Sequence, residues 1–275
     1  MTTYPDSVVA LIGLRENLLL SRLHLVADLR RFDNREDFVD FVHAMYAAGV
    51  DIIQLRTDGV SEDRAQKLFE AAVQPAFDHR KLLCVGSDPK LAAAVKADLL
   101  HLNDGPGRVR QERGRLHQYS LVGCTVDSIH EADRALTVRA DWLSVGPVFP
   151  GRTLFGRRED GLDLVREFAE KLPVTDERSV PWFATTGITL DNLGGVLDAG
   201  AARVAVSTAI MDAEAPAAAA ALFADRLRAH WESLPGAGDH AFRVLGGPQK
   251  KATFRAVPPI PGDSGNWATT GDLSL

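Results

Sequence analysis

Two short stretches late in this 275-residue chain hold the residue types best suited to gripping an anion. They are Pro181-Trp182-Phe183-Ala184-Thr185-Thr186-Gly187-Ile188 and Arg203-Val204-Ala205-Val206-Ser207-Thr208-Ala209-Ile210. Each is an apolar run that stops at glycine or small hydroxyl residues, with helix-forming sequence beyond. Two adjacent strands ending this way present backbone N–H groups and hydroxyls to a single anion, such as the phosphate of a small metabolite. Thr186, Gly187, Ser207 and Thr208 are therefore the candidate phosphate ligands. Metal chemistry has no comparable signal, because Cys84, Cys124 and the scattered histidines lack short ligand spacing. Both cysteines fall in expected strands and read as packed, reduced thiols.

Positioning such strand ends requires a regular scaffold, and the chain supplies one from Leu23 onward. Strands are expected at 23–27, 51–55, 82–85, 99–102, 121–124, 142–145, 182–184 and 204–206. Helical patterns lie between them, clearest at 36–48, 128–138, 162–172 and 190–199, and an alanine-rich helix follows at 216–230. Ser61-Glu62-Asp63-Arg64 opens another helix with an acidic first turn. Ala48-Gly49 and Ala199-Gly200 end helices in the manner of a glycine C-cap. Eight strands, each followed by a helix, predict an α/β fold of the (β/α)8 TIM-barrel class rather than an open doubly wound sheet.

The barrel domain is expected to span 22–230. Residues 1–21 read as an N-terminal extension whose apolar residues could form a short helix over one barrel end or meet another subunit. Residues 231–275 are a Pro/Gly-rich extension without sustained periodicity, in which Trp231, Phe242, Phe254 and Trp267 could act as anchors. Gly246-Gly247-Pro248 within it lacks the strand–glycine–helix context of a phosphate loop.

Composition is that of an ordinary globular protein, with 45% hydrophobic and 25% charged residues. A formal charge of -6 argues against a general nucleic-acid binder. No run approaches the ~20 apolar residues that cross a bilayer, and the N-terminus does not resemble a secretory signal. The expectation is a cytoplasmic protein binding a phosphorylated small molecule, without nucleic-acid or membrane partners. The extended termini make a homo-oligomer plausible.

At five ordered places the sequence resembles the thiamin phosphate synthase/TenI family. They are Leu23–Asp28, Gly49–Arg56, Ala97–Leu102, Ala140–Pro150 and Gly200–Ile210, and the resemblance runs through roughly 22–230. It implies a barrel whose synthase members join an aminopyrimidine pyrophosphate to a thiazole phosphate with loss of pyrophosphate and help from magnesium. TenI-like members instead aromatise a thiazole phosphate tautomer. Gln54 and Arg56 match the first two polar positions of the pyrophosphate-gripping Gln-Leu-Arg-x-Lys stretch. Thr125 matches a serine after the fifth strand. Arg152, with Arg157 and Arg158, keeps the sixth loop cationic for a phosphate or carboxylate.

Several positions depart from the family pattern. Asp58 stands where the lysine is expected, and a carboxylate there repels pyrophosphate rather than neutralising it. Gly86 and Ser87 replace an Asn-Asp pair, and Pro106 replaces a second aspartate, leaving Asp88 and Asp104 as the nearby carboxylates that could hold Mg²⁺. Asp127 occupies the place of a histidine, Leu154 that of a lysine, and Thr186 that of a glycine. Three functional readings follow. The first is a divergent member acting on a phosphorylated heterocycle or related metabolite, with Gln54, Arg56, Thr125 and Asp127 as its catalytic centre. The second is a catalytically silent phosphate-ligand-binding or protein-interaction module. The third is a genuine thiamin phosphate synthase with a compensated site. No cofactor is assigned, and Mg²⁺ enters only with synthase activity.

Overall fold

The computed structural model describes residues 13–150, 161–176 and 179–244. Its centre is a closed parallel barrel of eight strands in sequence order: β1 Leu23–Asp28, β2 Ile52–Arg56, β3 Leu82–Gly86, β4 Leu99–Leu102, β5 Leu121–Val126, β6 Trp142–Val145, β7 Trp182–Thr185 and β8 Val204–Val206. The expected TIM barrel is thus observed, with each strand within about two residues of its sequence-based bounds. Helix α1 (Leu14–Leu20) precedes β1, and the larger helices around the barrel include α2 (Arg35–Ala47) and α3 (Glu62–His79). Asn34 caps α2 by accepting from the Asp37 N–H at 2.8 Å, satisfying one of the donors a helix start leaves open.

Alternation along the strands divides the core in two. Leu25, Ile53, Leu55, Val85, Leu100, Val122, Leu143 and Val204 turn outward and pack under the helices. Ile52, Leu82, Cys84, Leu99, Leu121, Trp142, Phe183 and Ala205 turn inward and fill the barrel. The lumen is therefore packed, leaving chemistry to the residues at the C-terminal rim. Trp142 is the largest side chain inside it, and Gly123 makes its place. A Cβ at Gly123 would stand 2.1 Å from the indole.

The opposite end of the barrel is closed by α1, whose Leu14 and Leu18 join the inward cluster. Arg15 donates to Asp141 at 2.7 Å, and Asp141 also accepts from Arg113 at 2.6 Å. Arg203, 3% exposed, donates to the carbonyls of Leu19 at 2.7 Å and Ser21 at 3.1 Å. Its guanidinium lies 5.0 Å from the ring centre of Trp231 on helix α4 (Pro216–Ser233). Burial, and to a lesser extent Arg22, pulls its pKa down to about 9. The guanidinium meets the carbonyl end of α1, where a helix dipole favours positive charge. Arg203→Ala should lower stability by about 3 kcal/mol, because it orphans two carbonyls and unpacks Trp231. Urea unfolding measures this, and an unchanged midpoint would show that α1 is held by its leucines alone.

The last barrel helix runs three residues beyond its expected end, and a further helix, α5 (Ala237–Val244), packs after it. Trp231 therefore anchors as expected, in a small cluster with Ala202 and Ala237. Phe254, Trp267 and Gly246–Pro248 lie outside the described residues, as does the apolar patch at 8–12. No helix among the described residues is long and apolar enough to cross a membrane.

Candidate active site

Strand register sets the rim. Asp28 pairs with Arg56 across β1 and β2, Arg56 with Gly86 across β2 and β3, and Thr125 with Ser144 across β5 and β6. Arg56 donates a very short hydrogen bond to Asp28 Oδ2. Arg30, from the turn after β1, donates to the same carboxylate through Nη2 at 2.6 Å and Nε at 3.0 Å, and its backbone N–H donates at 3.1 Å. Two arginines thus share one buried carboxylate. The bonds from Arg30, followed by those from Arg56, hold the Asp28 carboxyl well below the usual carboxylate range despite its burial.

Gln54, 3% exposed, lies two residues deeper on β2 within reach of buried His24, and its Oε1 has no partner at full hydrogen-bond geometry. Gly86 leaves room for it, since a Cβ there would approach Gln54 Nε2 to 2.7 Å. A side chain at this position would require the Gln54 amide to move from its present place. Thr125 is half-buried and its Oγ1 is 3.3 Å from His101 Nε2. His101 stacks on Trp142 at 4.8 Å between ring centres, and His24 meets the same indole edge-on at 5.3 Å. Asp127 lies just past β5, half-buried, with its N–H donating to Glu131 at 3.2 Å. His130 is on the following helix and exposed.

Burial, then repulsion from His101, pushes the His24 pKa down to about 3, and burial pushes that of His101 down to about 4. Both imidazoles are neutral in the folded state at pH 7, so the unfolded chain binds more protons below pH ~6.5. Stability is then complete above that pH and falls as acid is added, until the folded pKa values are reached. Between pH 7 and 5 the expected loss is roughly 2 kcal/mol for each histidine. Thermal unfolding across this range should show it, with His24→Gln removing about half of the slope. A flat profile would contradict the buried, neutral state.

The other side of the rim is formed by β7 and β8. Thr186 and Gly187 adopt φ of +77° and +70° in succession. A β-branched residue at positive φ is a genuine outlier costing about 1–3 kcal/mol, so the turn keeps a glycine-like shape although its glycine has been replaced. The Thr186 carbonyl accepts from the Phe149 N–H at 3.2 Å, and the Gly187 carbonyl from Asn192 Nδ2 at 2.9 Å. Ser207 ends β8 and donates its hydroxyl to the Val26 carbonyl at 2.7 Å, tying β8 to β1. Exposed Thr208 opens the short helix that follows. Arg152, Thr153, Arg157 and Arg158 lie outside the described residues.

The structure thus brings Gln54, Arg56, Thr125, Asp127, Thr186, Gly187, Ser207 and Thr208 to one end of the barrel. It also adds Asp28 and Arg30, which sequence reading left without a role at the site. The Asp28-Leu29-Arg30-Arg31 run was the available signal, but its meaning depends on β1 lying beside β2.

The carboxylates proposed as magnesium ligands have other work. Asp88 accepts the Leu91 N–H at 2.9 Å as a helix cap, and exposed Asp104 pairs with Arg108 at 3.1 Å. Ser87 accepts the Asn103 N–H at 3.1 Å, bracing two loops. No group of three or more His, Cys, Asp or Glu that could hold a metal exists among the described residues. Asp88 and Asp104 would each have to give up its present bond to take the place of a family aspartate.

With the geometry in place, comparison with known proteins gives one family. A family model described as thiamine monophosphate synthase matches residues 23–210. The chain is 40% identical over 215 residues to a thiamine-phosphate synthase of Streptomyces avermitilis, covering 78% of this chain and 97% of that protein. It is 37% identical to one of Acidothermus cellulolyticus, covering 78% and 99% respectively. Among solved structures, a thiamine phosphate pyrophosphorylase of Pyrococcus furiosus superposes with a TM-score of 0.65 at 25% identity, over 79% of this chain and 98% of that one. The chain belongs to the thiamine monophosphate synthase family.

Proposed function

We propose that this protein is a thiamin phosphate synthase, joining an aminopyrimidine diphosphate to a thiazole phosphate with release of diphosphate. The observation that carries the reading is the placement of Gln54 and Arg56 on the same rim as the Thr186–Gly187 turn. Curated relatives of nearly the same barrel length, named for this activity, support it. In the reaction the thiazole nitrogen bonds to the pyrimidine methylene carbon while that carbon's bond to the diphosphate oxygen breaks. The bonding electrons leave with the diphosphate.

Each end of the rim meets a separate demand. Gln54 Oε1 is a buried acceptor without a partner at full hydrogen-bond geometry, and the amino group of an aminopyrimidine would satisfy it. Arg56 faces the charge that grows on the departing diphosphate, which preorganised cations stabilise most effectively at a partly dry site. The Thr186–Gly187 turn, with Ser207 and Thr208, receives the thiazole phosphate. Thr125 on β5 and Asp127 just past it are in position to line the space around the joining rings.

A second reading, a family member acting on another phosphorylated heterocycle, is favoured by the replacement of the magnesium ligands with Gly86 and Ser87. Expression in a bacterial strain lacking its own synthase separates the two. Growth without thiamin, abolished by substitution at Arg56, is expected. A soluble, well-expressed protein that fails to restore growth would favour the second reading.

A further inference from the structure

The diphosphate end of the rim has lost a lysine to Asp58, yet a cation lies next to that place from a different strand. The Arg30 side chain passes over the loop after β2, with its Cδ 3.5 Å from where a Cβ of Gly59 would stand. Asp28 chiefly, and Asp58 more weakly, raise the Arg30 pKa, which puts Asp58 within electrostatic reach of this guanidinium. Arg30 is 56% exposed in its side chain and Arg56 33%, so neither guanidinium is consumed by the carboxylate they share. Two arginines against Asp28 leave one positive charge in excess among these three groups, which Asp58 beside Arg30 partly offsets.

The segment that carries Arg30 is also fixed. Arg31 donates to the Met211 carbonyl at 2.9 Å and pairs with Asp212, which ties the turn to the helix after β8. Arg30 and Arg31 are consequently committed in different directions, one to the rim and one to the scaffold. Arg30 supplies the largest share of the bonding to buried Asp28, and its exposed side chain still leaves donors turned to solvent at the rim.

We propose that Arg30 binds the diphosphate of the pyrimidine substrate in place of the missing lysine, with Asp28 aligning Arg30 and Arg56 as a paired clamp. Planar guanidinium groups suit this task because each can offer two parallel N–H donors to phosphate oxygens. The clamp rests on the synthase reading for its substrate, but diphosphate binding tests it independently.

Calorimetric titration with inorganic pyrophosphate and, separately, with thiazole phosphate makes the test. Arg30→Ala is expected to weaken pyrophosphate by about 10-fold or more, with Arg30→Lys losing less. Adding Asp58→Lys to Arg30→Ala should return the affinity to at least within about 3-fold of the parent, because a cation is supplied at the neighbouring position and a repelling carboxylate is removed. Thiazole phosphate affinity should be unchanged throughout. Asp28 retains Arg56 in these variants, so the fold should survive, and thermal unfolding checks that it does. Parental pyrophosphate affinity in Arg30→Ala, or no recovery in the double variant, would overturn the clamp. Arg30-dependent pyrophosphate binding without thiamin phosphate formation would instead sink the synthase reading and leave the clamp standing.

Discussion

Arg56→Ala is expected to cut turnover by about 10²–10³-fold, comparable to the loss of a principal electrostatic donor at other active sites. Arg56 ends β2 beside Asp28, and its removal changes two things at once. The rim loses the guanidinium nearest Gln54, and the remaining Arg30–Asp28 pair carries no net charge. A departing diphosphate would then meet an electrically balanced pair where an excess cation had been. Arg30 still satisfies the Asp28 carboxylate, so the loss should appear in catalysis rather than in folding. Steady-state kinetics should show a lower kcat/KM for the pyrimidine diphosphate with thiazole phosphate binding intact. Kinetics like the parent's would place the diphosphate elsewhere.

Gly187→Val should have an equally large effect at the other end. The position has φ of +70°, where a β-branched side chain is severely disfavoured. The new Cβ would also stand 2.7 Å from the Phe149 Cβ and 3.1 Å from the Phe149 and Pro150 carbonyl oxygens. Those contacts are with the loop after β6, which is bonded to the same turn through the Phe149 N–H. The turn cannot accept the side chain without displacing that loop. Thiazole phosphate binding should weaken by at least ~30-fold, with several degrees lost from the melting temperature. Gly187→Ala should fall between, and pyrophosphate affinity should persist in both. Undiminished thiazole phosphate binding in the valine variant would remove the turn from the phosphate site.

The two predictions are complementary because the two ends are built differently. The proposed diphosphate end is built of charged side chains supplied by β1, β2 and the turn between β1 and α2. The proposed monophosphate end is built of backbone shape, kept even where Thr186 replaces glycine. Sequence reading placed Thr186, Gly187, Ser207 and Thr208 at strand ends readily, since runs of small residues after an apolar strand are local features. The β4, β6 and β8 bounds were legible for the same reason, each being a short buried run. The first end was only half legible. Gln54 and Arg56 could be aligned with a family motif, but the Asp28 bridge arises from the β1–β2 register, which joins residues 28 positions apart. Likewise, Gly86 read as a lost ligand, whereas in three dimensions it accommodates Gln54. Helix α5 escaped notice because Pro235, Gly236 and Gly238 obscure its short pattern.

Inside the barrel, neutral His24 and His101 around Trp142 form the floor beneath the rim. Gly123 and Trp142 were legible as strand residues, but their mutual dependence was not, because the indole occupies space only a neighbouring glycine can leave. The floor makes the site dependent on pH through stability, independently of any proton transfer in the reaction.

The most direct test of the central claim is to incubate the purified protein with hydroxymethylpyrimidine diphosphate, thiazole phosphate and Mg²⁺, and to measure both products in the same reaction. Thiamin phosphate and diphosphate should appear in equal amounts, and Arg56→Ala should suppress both together. Thiazole phosphate binding without either product would contradict the synthase assignment, leaving a phosphate-binding barrel with different chemistry.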